Sequence, residues 1–196
     1  MHATDTRAGA RIIPVKFVVA GGFGVGKTTF VGSISEIEPL RTEAAMTSVS
    51  AGIDDTTHTG TKTTTTVAMD FGRITVDDTL VMYLFGTPGQ DRFGFMWDDI
   101  CNGALGSVIL VDTRRIDQCF PAIDYFEAKG VPFVIGVNTF EGAPRYPLEE
   151  VRNALGIASH VPLVECDARQ RESVKQTLIT LLESLVTQAR AREGLA

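Results

Sequence analysis

Eight consecutive residues carry the clearest chemistry in the chain: Gly21-Gly22-Phe23-Gly24-Val25-Gly26-Lys27-Thr28. Their pattern, GxxxxGK followed by Ser or Thr, is that of a loop that cradles phosphate. Glycines let successive backbone N–H groups turn inward around phosphate oxygens. A helix starting at Lys27 aims the positive end of its dipole at the same place. In that arrangement Lys27 reaches the outer phosphates and the Thr28 hydroxyl ligates Mg²⁺. The expected phosphate contacts are therefore Phe23, Gly24, Val25, Gly26, Lys27, Thr28 and Thr29. The motif specifies a nucleoside triphosphate. It leaves the base and the reaction open, because kinases, ATPases and GTPases all use it.

A second segment, Leu84-Phe85-Gly86-Thr87-Pro88-Gly89-Gln90-Asp91-Arg92-Phe93, resembles the DTAGQERF stretch of Ras-like GTPases. The resemblance implies that Gly89 senses the γ-phosphate through its N–H and that Gln90, the catalytic partner of Lys27, orients the attacking water. Gly86 stands where that family has an aspartate holding Mg²⁺ through water, so either metal affinity is weakened or another acid substitutes; Asp54 and Asp55 are candidates. Thr66-Val67-Ala68-Met69-Asp70-Phe71 looks like the first switch and the strand after it. Thr66 then matches the threonine that closes over Mg²⁺, with a register left open by one residue because Thr63, Thr64 and Thr65 precede it. A strand edge would account for the same threonines. Phe23 replaces a glycine common in Ras proteins. Either it crowds Gln90 and an incoming arginine finger, keeping unaided turnover slow, on the order of 10⁻⁴ to 10⁻³ per second, or its ring points to solvent or the switch surface.

Two further segments bear on the base. Asn138-Thr139-Phe140-Glu141 resembles the NKxD motif, with Thr in place of Lys and Glu in place of Asp. In that family the Asn braces base and phosphate loop, and the acid accepts two hydrogen bonds that guanine can donate and adenine cannot. Glu165-Cys166-Asp167-Ala168-Arg169 lies where Ras proteins carry ETSAK. There Ala168 would offer its N–H to guanine O6, and Arg169, beside Asp167, would pack on base or ribose.

The elements that must position these residues read as an alternation of strands and helices. Ile12 to Ala20 is almost continuously apolar, as in a strand buried on both faces. A helix follows from Lys27 to about Ile37, and residues 40–63 read as an irregular loop rich in Thr, Ser and Gly. Residues 64–76 and 79–85 form a hairpin around Asp77-Asp78. Short apolar strands follow at 107–111, 131–137 and 161–165, with a helix-length segment between the first two and a short helix at 147–155. From Arg171 to about Arg192 a long helix lines up Val174, Leu178, Leu181, Leu182, Leu185 and Val186. The expected fold is α/β: a Ras-like, doubly wound, mostly parallel six-stranded sheet with helices on both faces. Residues 1–10 read as a flexible lead-in and 11–196 as one G domain.

At 196 residues the chain suits a single domain with a sizeable core. A net charge of −6 argues against broad binding to nucleic acid or anionic lipid. Cys101, Cys119 and Cys166 lack metal-type spacing and read as buried thiols of a cytoplasmic protein. His2, His58 and His160 form no metal or triad pattern. Asp112 reads as a cap, and Trp97 as a core residue. No secretory leader, membrane span or prenylation cysteine is evident, so any recruitment to a membrane would go through a partner.

Within the Ras-like superfamily, GGFGVGKTTFVGSISEIEPL, TTVAMDFGRI and LFGTPGQDRF look like the bacterial small GTPases of actinobacterial conservon operons, which are similar to gliding-motility switch GTPases. That resemblance implies GTP/GDP and Mg²⁺ as ligands. It also implies partners encoded nearby: a roadblock-fold protein, a helix-turn-helix-type protein and a sensor-kinase-like membrane protein. The leading expectation is a GTP hydrolase working as a switch. A nucleotide-loaded scaffold without useful hydrolysis and a P-loop ATPase or kinase are the alternatives.

Overall fold

Ile13–Ala20 forms the central strand, β1, whose last four residues are fully buried. Successive side chains on a strand point to opposite faces, so an apolar run of this kind needs cover on both. Phe17 and Val19 pack with helix α1 (Lys27–Ile34) and helix α5 (Arg171–Arg192). Val18 and Ala20 pack on the other side, against α2 (Trp97–Cys101), α3 (Phe120–Lys129) and α4 (Leu148–Leu155). The computed structural model describes residues 12–38, 40–46, 65–89 and 91–194, of which 40–46, 65–68 and 91–93 by backbone alone.

The remaining strands are β2 (Leu40–Met46), β3 (Thr65–Thr75), β4 (Leu80–Gly86), β5 (Gly106–Val111), β6 (Phe133–Asn138) and β7 (Leu163–Cys166). They form one seven-stranded sheet in the order β2-β3-β4-β1-β5-β6-β7. From β4 to β7 neighbouring strands are parallel, while β3 runs antiparallel to both β2 and β4. This is the doubly wound α/β arrangement read from the sequence, with one strand more. The extra strand, β2, corrects the irregular loop expected from Leu40 onward. Its sequence, LRTEAAM, has no alternation of apolar and polar residues, and it is held by backbone pairing from Leu40↔Phe71 to Met46↔Thr65.

Two smaller differences have local causes. Helix α1 stops at Ile34 rather than near Ile37, because Ser35 turns extended and its hydroxyl bonds Ile37 O at 2.7 Å. Serine competes in this way with the helical hydrogen bonds around it. In α5, Val174, Leu178 and Leu181 are buried as expected, whereas Val186 falls off that face and is 49% exposed. Trp97 packs on the core edge-to-face with Tyr125, and all three cysteines are buried free thiols. No helix among the described residues is long and apolar enough to cross a membrane. Residues 1–10, and with them the expected lead-in, lie outside the described residues, as do His2 and His58.

Strand order turns around at β1, which lies between β4 and β5, so the loops after these three strands meet at one edge. Ligands of open α/β sheets bind in such a crevice, at the carboxyl ends of the strands.

Candidate functional site

The loop after β1 runs directly into α1. Gly26 precedes the helix with φ +106, and a β-carbon there would stand 2.6 Å from Asn138 Nδ2. Only glycine meets both conditions. Lys27 is 8% exposed, and its Nζ donates to the carbonyls of Gly21 (2.9 Å) and Gly22 (2.7 Å). Burial pulls its ammonium down to about 8, with the charge of Asp70 acting in the opposite direction. Helix α1 has no side-chain cap and no acidic residue in its first turn, which leaves its amino end to an outside anion. Val25 is buried in the core beneath the loop; Gly24, Thr28 and Thr29 are exposed, and so is the ring of Phe23 at 61%.

On the β3–β4 side the structure brings Gly89 against this loop. A β-carbon on Gly89 would lie 2.6 Å from Lys27 Nζ and 2.9 Å from Phe23 Cα. The Thr28 hydroxyl donates to Asp70 Oδ2 at 2.6 Å. Asp70, on β3, is 9% exposed and beside Gly86, the end of β4. These two oxygen donors next to a phosphate loop fit Mg²⁺, which takes one or two protein oxygens and fills the rest of its shell with waters and phosphates. Thr66 lies in β3 opposite Ala45. Gln90, Asp54 and Asp55 lie outside the described residues.

Asn138, at the end of β6, ties the third loop to the first. Its Nδ2 donates to Val25 O at 2.8 Å, and its Oδ1 accepts the Ala168 N–H at 3.0 Å. That N–H, expected to face guanine O6, is thus already engaged within the protein. Glu141 is exposed a few residues on. Arg169 grips Asp167 with two bonds, Nε to Oδ1 at 2.9 Å and Nη2 to Oδ2 at 2.8 Å, and this holds the Asp167 carboxyl below its usual range. Arg169 is therefore tied to Asp167, with its Nη1 edge and its flat faces left open.

Sequence reasoning missed two features of the site. In sequence Asp70 is simply part of a strand, and only its neighbour on β4, Gly86, reveals it. Asp112 was read as a cap, and it does accept the Arg114 N–H at 3.0 Å. It also takes two bonds from the Arg114 guanidinium, which stacks 3.9 Å from the centre of the Phe140 ring in the loop after β6. Spacing carries no signal for that link, since Phe140 belongs to another loop.

The sequence pattern of the conserved hypothetical ATP-binding protein family matches residues 19–188. A relative from Methanocaldococcus jannaschii, the uncharacterized protein MJ1339, is 30% identical over 126 residues, covering 63% of this chain and 69% of its own. Among solved structures, the FeoB G-domain from Methanococcus jannaschii superposes with a TM-score of 0.59 at 11% identity, over 89% of this chain and 99% of that one. The cytosolic domain of the T. maritima FeoB iron transporter in its GDP form gives 0.62 at 15% identity, over 89% of this chain. This chain spans 64% of that domain's length. At such identities the likeness is one of fold alone.

Proposed function

The chain belongs to the family of conserved hypothetical ATP-binding proteins, and from that premise we propose that it is a small GTPase acting as a molecular switch. It binds GTP and GDP and hydrolyses GTP slowly to GDP and phosphate. The observation that carries this reading is the meeting of three loops at one sheet edge: Lys27 in the first, Gly89 against it, and Asn138 bracing it from the third.

Lys27 would exchange its two carbonyl partners for phosphate oxygens, and that charge would favour its protonated form. Thr28, with Thr66 from β3, would hold Mg²⁺, which supplies charge neutralisation between the outer phosphates. Gly89 would offer its N–H to the γ-phosphate, so that the segment after it changes with loss of that group. Gln90 would orient the attacking water. Glu141 and Asp167 would face the base, with Ala168 and Arg169 beside it. Control by protein partners, such as a roadblock-fold protein and a sensor-kinase-like membrane protein, is supported by the sequence resemblance.

Adenine in the same site is the second reading. It is favoured by the Ala168 N–H, which already donates to Asn138, and by the family's description. Calorimetry of nucleotide-stripped protein with GDP, GTP and ATP, with and without Mg²⁺, separates the two. Guanine-selective binding and slow multi-turnover phosphate release support the switch. Equal or tighter ATP binding overturns the guanine assignment, and binding without turnover leaves a scaffold.

A further inference from the structure

In the Ras-like pattern the residue at position 86 is the acid that holds Mg²⁺ through water, and glycine has no side chain for that role. The structure gives a steric reason for the glycine. A β-carbon on residue 86 would stand 3.1 Å from Asp70 Cβ and 3.2 Å from Asp70 Oδ2. Both distances are tighter than ordinary van der Waals contact. The antiparallel register, which pairs Phe71 with Phe85, sets Asp70 and Gly86 side by side. The space a residue-86 side chain would enter is thus already filled by a carboxylate from the adjacent strand. That carboxylate is in turn bonded at 2.6 Å to the hydroxyl of Thr28, the metal ligand of the phosphate loop.

We propose that Asp70 is the metal-positioning carboxylate of this chain. Its role has moved from the end of β4 to β3, and position 86 is glycine because Asp70 occupies its place. The inference rests on the nucleotide-binding reading above and adds to it a residue and a direction of coupling. An acid on β4 links the metal to the second switch segment, which follows that strand. An acid on β3 links it to the strand that contains Thr66 and pairs with β2. Metal occupancy is then felt first at the β2–β3 edge.

The test follows release of a fluorescent GDP analogue from the full chain while Mg²⁺ is titrated, with the matching ADP analogue alongside. Four variants are compared with wild type: Asp70→Ala, Asp70→Asn, Gly86→Asp and the double variant Asp70→Gly/Gly86→Asp, which also removes the β-carbon that crowds position 86. Outer-shell carboxylates of this kind change metal affinity roughly 10- to 100-fold. Asp70→Ala and Asp70→Asn are expected to raise the Mg²⁺ midpoint for nucleotide retention by that factor. Gly86→Asp alone crowds two carboxylates and also weakens retention. The double variant restores an acid at the other position and regains most of the wild-type midpoint.

Asp70→Asn guards against a merely structural role, because it keeps an acceptor for Thr28 and loses only the charge. A wild-type midpoint in Asp70→Asn overturns the proposal, and so does a double variant no better than Asp70→Ala. Wild-type protein that retains GDP without any response to Mg²⁺ overturns it as well. Wild-type protein that retains neither analogue is a different failure, that of the nucleotide-binding reading itself.

Discussion

Gly89 and Lys27 are so close that a β-carbon on the glycine would stand 2.6 Å from the lysine Nζ. The lysine could swing aside, but Phe23 Cα at 2.9 Å and Gly22 O at 3.1 Å are backbone and cannot. Alanine at position 89 must therefore push its own segment away from the phosphate loop. The N–H of residue 89 would then no longer reach a γ-phosphate. Gly89→Ala is expected to lower affinity for a non-hydrolysable GTP analogue about tenfold, or 1.4 kcal/mol, and to leave GDP affinity nearly unchanged. Calorimetry with both ligands decides it. An equal loss for both would mean that Gly89 only packs and senses nothing.

Asn138 joins two loops that are distant in sequence, through bonds to Val25 O and from Ala168 N–H. It is 6% exposed, so both partners are left without water when it is removed. Asn138→Ala is expected to cost about 1–3 kcal/mol in stability, visible as a fall in Tm of roughly 2–4 °C per kcal/mol. Nucleotide affinity should drop more than stability does, since the phosphate loop loses its brace. A thermal melt with and without nucleotide compares the two. A variant with wild-type Tm would show that neither bond contributes.

Most of the sheet was legible because burial on both faces leaves a plain sign in the sequence. Phe17 to Ala20, Val108 to Val111 and Val134 to Ile135 are apolar runs and are fully buried. Strand β2 was illegible because an edge strand can form from backbone pairing alone, and LRTEAAM carries no period of two. The phosphate loop and Asn138 were legible because each rests on a local motif. Asp70 was not, because its meaning lies across a strand pair: Gly86 signals a missing acid, but only the β3–β4 register says where the acid went.

Asp112 reaches the loop after β6 through Arg114 and Phe140, and its chemistry gives a pH signature. Bonds from the Arg114 guanidinium, at 2.9 and 2.7 Å, hold its carboxyl below the usual range in the folded protein. A carboxyl whose folded pKa is depressed adds stability above its unfolded value of about 4 and loses it as pH falls through the folded value. Arg114 is 42% exposed, so solvent screening limits the gain to about 1 kcal/mol. Asp112→Asn is therefore expected to be less stable than wild type by that amount at pH 7. The gap should close as pH drops below about 4. Urea unfolding at several pH values measures it; a gap that persists undiminished into acid would place the effect in packing.

Glu141 and Asp167 are the acids proposed to face the base, and they differ in freedom. Asp167 is engaged by Arg169 through both carboxylate oxygens, so it has few lone pairs left for a ligand. Glu141 is exposed, and its charge adds to the larger effect of Asp167 in favouring the Arg169 guanidinium. Guanine presents two donors on one edge, N1–H and the exocyclic amine, which a single free carboxylate can accept together. Adenine offers an acceptor at N1 instead, and a carboxylate facing it would be repelled. Glu141→Ala is thus expected to weaken GDP binding about tenfold while ADP binding stays the same or improves. Asp167→Ala, by freeing Arg169, should perturb both nucleotides alike. Calorimetric titration of the two variants with GDP and ADP tests the assignment directly. A Glu141→Ala protein with unchanged preference would remove the carboxylate basis for guanine and leave the adenine reading standing.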